Sequence, residues 1–176
     1  MRRTQSLRRG ETIVCCTLLL VVMAVAAPVG AQGGWQSPLV IAAAEFENDG
    51  VDPLEDNFYD SDGYFSGRAD QALTMVAVVK LPNFATITRF EAAMVDIGDC
   101  PSVPDPIVEL RSVNYDSGMP VLHASVVAND NTNMEIFVDT SIASADVNNL
   151  TQAYFVVVKM CGPFQAFQGV RVHYTE

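Results

Sequence analysis

The sequence predicts an all-β protein, namely a single antiparallel β-sandwich with jelly-roll-like topology; an immunoglobulin-like strand order is the alternative. Three observations lead to this prediction. Short apolar runs rich in β-branched residues recur along the chain, and residues 72–80 and 86–97 are the clearest. Clusters of Asn, Asp, Gly and Pro separate these runs, as turns do. No long segment has apolar residues at the spacing of a helix.

In chain order, strands are predicted at residues 39–46, 72–80, 86–97, 107–115, 121–128, 134–139, 152–160 and 168–175. The first run follows Pro38 and is short for a helix. The run QAYFVVVKM at 152–160 is the most apolar and is expected to be a buried strand. Three prolines at 101–106 exclude a strand interior there. The polar residues 141–150 are expected to contain one helical turn within a crossover connection.

The alternation of side chains along each strand predicts which of them enter the core. At 107–115, for example, Val108 and Leu110 alternate with charged residues. The predicted core consists of Val76, Val78, Val108, Leu110, Ile136, Phe155, Val157 and Val172. The runs at 72–80 and 152–160 are apolar on both faces, so the sequence leaves their inward face open.

The first 31 residues have the features of a signal peptide. Four arginines within the first nine residues precede an apolar run at 13–27, and Val29-Gly30-Ala31 forms a cleavage site of small residues. The run is shorter than the roughly 20 residues of a membrane span. We therefore expect a secreted or periplasmic protein with no membrane span after cleavage. A flexible arm at 32–38 and a sandwich domain at 39–176 would remain.

The net charge of the chain limits the classes of molecule that it can bind. Removal of the signal peptide leaves six basic and twenty acidic residues, and a formal net charge of −14. Such a surface repels nucleic acid, which we exclude as a partner.

Two cysteines remain after cleavage, Cys100 and Cys161. An even pair in an oxidising compartment predicts one disulfide. The bridge would close a loop of about 60 residues and contribute roughly 4 kcal/mol. A zinc site is the alternative, but no pair of histidines lies near either cysteine in the sequence.

Residues 45–63, EFENDGVDPLEDNFYDSDG, contain eight carboxylates and no Lys or Arg, and are predicted to form a loop. Because Ca²⁺ is bound by oxygen ligands gathered on loops, Asp56, Asp60 and Asp62 are candidate ligands of a structural Ca²⁺. No EF-hand register fits, and a solvated loop without any cofactor is the alternative. Tyr59 and Tyr64 are candidate aromatic platforms for a ligand.

The sequence gives little support for catalysis. His123 and His173 fall in predicted strands, and neither has a partner at the spacing of a catalytic motif. We therefore predict a non-catalytic binding module of the envelope or extracellular space that recognises carbohydrate or another surface. The alternative is a structural or assembly protein, a fibre, matrix or surface-layer component that contacts another extracellular protein. A hydrolase is the third option.

Two short motifs carry a resemblance. The run VKLPNFATIT at 79–88 leads from an apolar strand through a Leu-Pro turn into an Ile-Thr strand, and GVRVHY at 169–174 forms the final strand. They resemble small secreted bacterial β-sandwich proteins of unknown function, over about residues 63–176. The resemblance implies secretion and a sandwich fold, and it assigns no catalytic residues.

Overall fold

A computed structural model describes residues 37–48, 57–59, 63, 65–67, 72–98, 103, 105–130, 132–161 and 164–176. The predicted signal peptide and residues 32–36 lie outside the described residues. Eleven strands are present in the part described: β1 (Leu39–Ala42), β2 (Glu47–Asn48), β3 (Asn57–Tyr59), β4 (Phe65–Gly67), β5 (Ala72–Val79), β6 (Thr86–Asp96), β7 (Ile107–Asn114), β8 (Pro120–Val127), β9 (Glu135–Asp139), β10 (Gln152–Cys161) and β11 (Gln165–Thr175). No helix among these residues is long and apolar enough to cross a membrane.

The strands form two antiparallel sheets that enclose one core, so the predicted sandwich is confirmed. One sheet has six strands in the order β3-β4-β11-β6-β9, with β1 also paired to β11. The other has five strands in the order β2-β5-β10-β7-β8. Among the described strands, two pairs that are consecutive in the chain are also neighbours in the same sheet: β3 with β4, and β7 with β8. The other connections cross between sheets, which gives the jelly-roll-like arrangement.

The described parts of the acidic stretch at 45–63 contain secondary structure that the sequence does not predict. The expected strand at 39–46 ends at Ala42, where a 3₁₀ turn (Ala43–Glu45) begins. The Glu45 carboxylate accepts a hydrogen bond from the Ala42 N–H at 3.1 Å and stabilises this turn. The chain then passes to the other sheet as β2, and β3 also lies within the predicted loop. The prediction of a continuous loop at 45–63 is therefore wrong at these two strands.

The crossover at 141–150 contains no regular helix; it ends in a single turn, in which the Gln152 N–H donates to the Asn148 carbonyl at 3.0 Å. Its backbone pairs instead with the start of β6 and the residues before it. The Ile87 N–H donates to the Ala145 carbonyl at 2.8 Å, and the Val147 N–H donates to the Ala85 carbonyl at 2.8 Å. Since Val147 is buried in the core, this segment folds as an extended strap.

The core lies between the two sheets. Its largest fully buried apolar side chains are Phe90, Phe167, Met75, Ile87, Met94, Leu110, Met160, Val108, Val147 and Val156. Phe167 makes an edge-to-face contact with Phe46, with ring centroids 4.8 Å apart. The predicted burial of four residues is confirmed: Val108, Leu110, Val157 and Val172.

The other four core predictions are wrong. Val78 is 71 % exposed and Ile136 is 53 % exposed, while Val76 and Phe155 are half-buried. Because β5 is apolar on both faces, alternation could not select its inward side, which carries Leu73, Met75, Ala77 and Val79. On the edge strand β9, Phe137 packs against the core and its neighbours face outward.

Cys161 ends β10, where it is buried and disulfide-bonded. Its N–H donates to the Gln165 side-chain carbonyl at 2.7 Å. Cys100 lies outside the described residues, so the Cys100–Cys161 pairing stays a prediction.

Candidate functional site

A groove of about 630 Å³ crosses the outer face of the six-stranded sheet. We call it the Glu91 groove. Strands β1, β11, β6 and β9 all contribute to it, through side chains that include Val40, Ala42, Glu91, Ala93, Ile136 and Arg171. Its volume lies in the range of sites that bind small molecules or short stretches of a polymer.

The groove exists because one cross-strand row of the sheet has small side chains. In this row Ala42 pairs with Gly169, Gly169 with Ala93, and Ala93 with Ile136. Side chains of successive residues alternate between the two faces of a strand, so these positions point away from the core. Three consecutive positions with one carbon or none leave a depression that larger residues would fill.

Gly169 also allows β1 to approach β11. The β11 ladder to β6 has a register shift between Phe167 and Gly169, and Gly169 has a φ of +152°. A Cβ at this position would lie 2.6 Å from the carbonyl oxygen of Ile41 and 3.2 Å from the Cα of Ala42. Only glycine avoids both the unfavourable backbone angle and this overlap.

The next row of the sheet places charged residues in the groove. Arg171 pairs with Glu91 across β11 and β6, with Val40 and Val138 at the two ends of the row. Glu91 is only 4 % exposed. Burial of a carboxylate is costly unless cations and hydrogen bonds compensate.

Three basic side chains surround Glu91. Arg89 forms a salt bridge with its Oε1. The Nε2 of His173 lies 3.4 Å from Oε1, and Nη1 of Arg171 lies 3.5 Å from Oε2. Glu91 and Arg171 of this ionic cluster line the groove, on a sheet face that is otherwise partly apolar.

Exposed aliphatic side chains border this cluster. Val40 on β1 lies on one side, and Ile136 and Val138 on β9 lie on the other. Single exposed apolar residues are common on protein surfaces, but these three flank one groove. The groove can therefore offer apolar contact at its sides and hydrogen bonds at its centre.

The outer face of the five-stranded sheet repeats part of this pattern. Nη2 of Arg111 lies 2.8 Å from Oε2 of Glu109, and Nζ of Lys159 lies 3.4 Å from the same oxygen. Val78 and Leu122 are exposed nearby on β5 and β8. These residues do not line the Glu91 groove. A smaller depression of about 430 Å³ includes Val78, Lys80 and Glu47.

The two histidines have partners that their spacing in the sequence does not show. His173 belongs to the Glu91 cluster. His123 is buried, its Nδ1–H donates to the Ala143 carbonyl at 2.9 Å, and its Nε2 accepts from the Ser112 hydroxyl at 2.8 Å. Ser112 is completely buried. A serine and a histidine without solvent access cannot act on a substrate, so this pair stabilises the core.

The site residues predicted from the sequence lie largely beyond what the structure describes. Asp56, Asp60, Asp62 and Tyr64 are outside the described residues. The backbone of Tyr59 belongs to β3, where it pairs with Phe65. Gly63, from the same stretch, lines the Glu91 groove. Within the described ranges no group of three or more His, Cys, Asp and Glu residues could hold a metal ion.

Glu91 and Arg171 were not predicted as site residues. One signal was present, because Glu91 is a charged residue in the apolar run FEAAMV at 90–95. An isolated carboxylate on a buried strand requires a partner. Arg89 is a partner two positions away on the same strand, but the second arginine, Arg171, is 80 positions away and could not be identified without the strand register.

No protein-family model matches the chain, and neither does any curated protein. Among solved structures, the chain is similar to the C-terminal CBM6 of LamC, a marine laminarinase from Zobellia galactanivorans. The two share 12 % sequence identity with a TM-score of 0.52, and the match covers 78 % of this chain and 99 % of that one. Others include the xylan-binding module CBM15 (13 %, TM-score 0.46, 80 % and 99 %). A third is CBM29_1, a carbohydrate-binding module from Piromyces equi (11 %, TM-score 0.42, 78 % and 86 %). The first of these likenesses supports the fold.

Proposed function

We propose that the protein is a secreted, non-catalytic carbohydrate-binding module that binds a polysaccharide along the Glu91 groove. The observation that supports this most is the groove itself, which combines a floor of small residues, aliphatic borders and a central ionic cluster. Sugar rings present apolar C–H faces and many hydroxyl groups. A surface with aliphatic contacts next to charged hydrogen-bonding groups suits both.

The fold is consistent with this proposal. The C-terminal CBM6 of LamC, with a TM-score of 0.52, is a module of a laminarinase, and almost its whole length is covered by this chain. A shared fold does not determine function, so the proposal depends on the groove and not on the likeness.

A binding role suits the groove better than hydrolysis does. Glycoside hydrolysis usually requires two carboxyl groups that flank the scissile bond. Glu91 is the one carboxylate among the described residues that line the groove. Its oxygens are occupied by contacts with Arg89, His173 and Arg171.

An assembly role is the second candidate, and the exposure of β9 favours it. This strand lies at the edge of the six-stranded sheet, and Met134, Ile136 and Val138 are exposed along or beside it. An exposed apolar edge can pair with another chain. Such pairing would depend on protein concentration and would require no sugar.

Binding of polysaccharides by the purified protein tests the proposal. Affinity electrophoresis and pull-down would use a panel of neutral and acidic plant, algal and fungal polysaccharides. The variant Ala93→Trp places a large side chain on the groove floor, and we expect it to reduce binding by at least about tenfold. Ala153→Trp is the matched control, because Ala153 is also half-buried but lies on the five-stranded sheet.

Three outcomes would contradict the proposal. The first is no binding to any member of the panel. The second is binding that Ala93→Trp leaves unchanged, since the ligand would then lie elsewhere. The third is an equal loss in both variants, which would indicate a general effect of the added tryptophan. Melting temperatures of both variants show whether the fold is retained.

A further inference from the structure

The ionic cluster around Glu91 holds more positive charge than the Glu91 carboxylate balances, and Arg171 is its basic member that lines the groove. Arg89 and Arg171 both lie within salt-bridge distance of its single carboxylate. One guanidinium is enough to balance one carboxylate. Among the described residues of the cluster, one positive charge is therefore in excess.

Arg171 is the basic residue of the cluster whose N–H donors can bind a ligand in addition to Glu91. Its side chain is 51 % exposed, and its Nη1 donates to Glu91 at 3.5 Å, near the upper limit for a hydrogen bond. A guanidinium carries five N–H donors. The remaining donors of Arg171 have no hydrogen-bond partner among the described residues.

This capacity matters because Arg171 lies inside the groove. It belongs to the lining together with Glu91, and the row next to it consists of Ala42, Gly169 and Ala93. An oxyanion that entered over these small residues could approach the guanidinium closely. Arginine binds carboxylate and sulfate groups through paired, charge-assisted hydrogen bonds.

The charge of the whole chain limits how acidic the ligand can be. The formal net charge is −11, so a densely charged polyanion is repelled at long range. An isolated acidic group on an otherwise neutral chain avoids most of this repulsion and still meets the local positive charge. The negative net charge of the chain and the local positive charge at Arg171 together favour a polysaccharide that carries few, widely spaced acidic groups.

We infer that the groove recognises a largely neutral polysaccharide with isolated acidic substituents, one of which pairs with Arg171. This inference rests on the proposed carbohydrate-binding function and specifies its ligand class. Neutral segments of the polymer contact the aliphatic borders of the groove. The acidic substituent forms the contact that gives specificity.

The test uses ligands that differ only in charge. Glucuronoxylan, gum arabic and gellan each carry uronate groups, and each can be compared with its own carboxyl-reduced form. We expect the protein to bind at least one acidic polymer about tenfold more tightly than its reduced counterpart. Isothermal titration or affinity electrophoresis gives this ratio.

Two variants assign the preference to a residue. Arg171→Gln removes the charge but keeps a hydrogen-bonding side chain, and we expect it to bind the acidic and reduced forms equally. Arg111→Gln is the matched control, because Arg111 forms the equivalent ion pair with Glu109 on the opposite face. It should keep the wild-type preference.

The possible failures are distinguishable. Equal binding of acidic and reduced polymers by the wild type overturns the inference and leaves the proposed function standing. Binding of neutral polysaccharides alone would also overturn the inference and leave the proposed function standing. A preference that persists in Arg171→Gln overturns the role of Arg171. If the protein binds no carbohydrate at all, the proposed function fails together with the inference.

Discussion

Substitution of Gly169 by alanine should destabilise the protein more than any other single methyl addition to a described glycine. The positive φ alone costs roughly 1–3 kcal/mol for a residue with a side chain. The added Cβ would also meet two backbone atoms of β1, at 2.6 and 3.2 Å, which cannot move aside as a flexible side chain can. Displacement of β1 would expose part of the buried Ile41, worth up to about 2 kcal/mol. We expect the free energy of unfolding to fall by about 2–5 kcal/mol, as measured by urea denaturation followed by circular dichroism.

Two other glycines separate these contributions. Gly118 has a φ of +66°, but no heavy atom lies within 4 Å of the position that an alanine Cβ would occupy, so Gly118→Ala reports the backbone term alone, about 1–2 kcal/mol. Gly98 has neither a positive φ nor a close neighbour, and Gly98→Ala should leave stability within about 1 kcal/mol of the wild type. If Gly169→Ala costs no more than Gly118→Ala, the contact with β1 is not what requires glycine.

Two further predictions concern carboxylates. Burial raises the pKa of Asp96 above its ordinary value of 3.8; the neighbouring Asp105 and Asp130 add to the increase, and hydrogen bonds from Asp130 and Gln165 oppose it. Because the folded state then holds this proton more tightly than the unfolded state, the contribution of Asp96 to stability should be largest below pH 3.8 and should decline as the pH rises through the folded-state pKa. Asp96→Asn should remove that decline in denaturation curves measured at several pH values, and parallel curves for both proteins would refute it. For the predicted Ca²⁺ site, millimolar calcium should raise the melting temperature by several degrees. The double variant Asp60→Asn with Asp62→Asn should abolish this increase. If the melting temperature is the same in calcium and in chelator, the stretch binds no structural Ca²⁺ and is a solvated loop.

The sequence predicts the strands well because turn residues mark their ends. The expected segments at 107–115 and 152–160 agree with β7 and β10 to within one residue at each end. Short strands are harder to predict, and β2 and β3 form inside an acidic stretch because their partners β5 and β4 supply the hydrogen bonds. The inward face of β5 was not predictable, since apolar residues occupy both of its faces.

The candidate site was hidden for a different reason. Its charged residues lie on two segments that are distant in the sequence, and Arg171 and His173 reach Glu91 only through the pairing of β6 with β11. The shift in that ladder at Gly169 changes which residues lie side by side; the glycine in GVRVHY is a local signal for a bulge, but it does not specify which residues of β6 lie opposite. An apolar face on a strand usually points inward, which is why Ile136 was predicted to be core. Here that face, with Val138 beside Ile136, borders the groove.

The position of β11 has a consequence for when the protein can become active during synthesis. This strand stands in the middle of the six-stranded sheet, yet it follows every other described strand along the chain. Its Tyr174 N–H donates to the Ser37 hydroxyl, 137 positions away. The six-stranded sheet therefore lacks a central strand until β11 has been synthesised. Contacts between segments so distant in the sequence form slowly. The same strand completes the Glu91 groove, so a chain that stops short of β11 loses its scaffold and its site together.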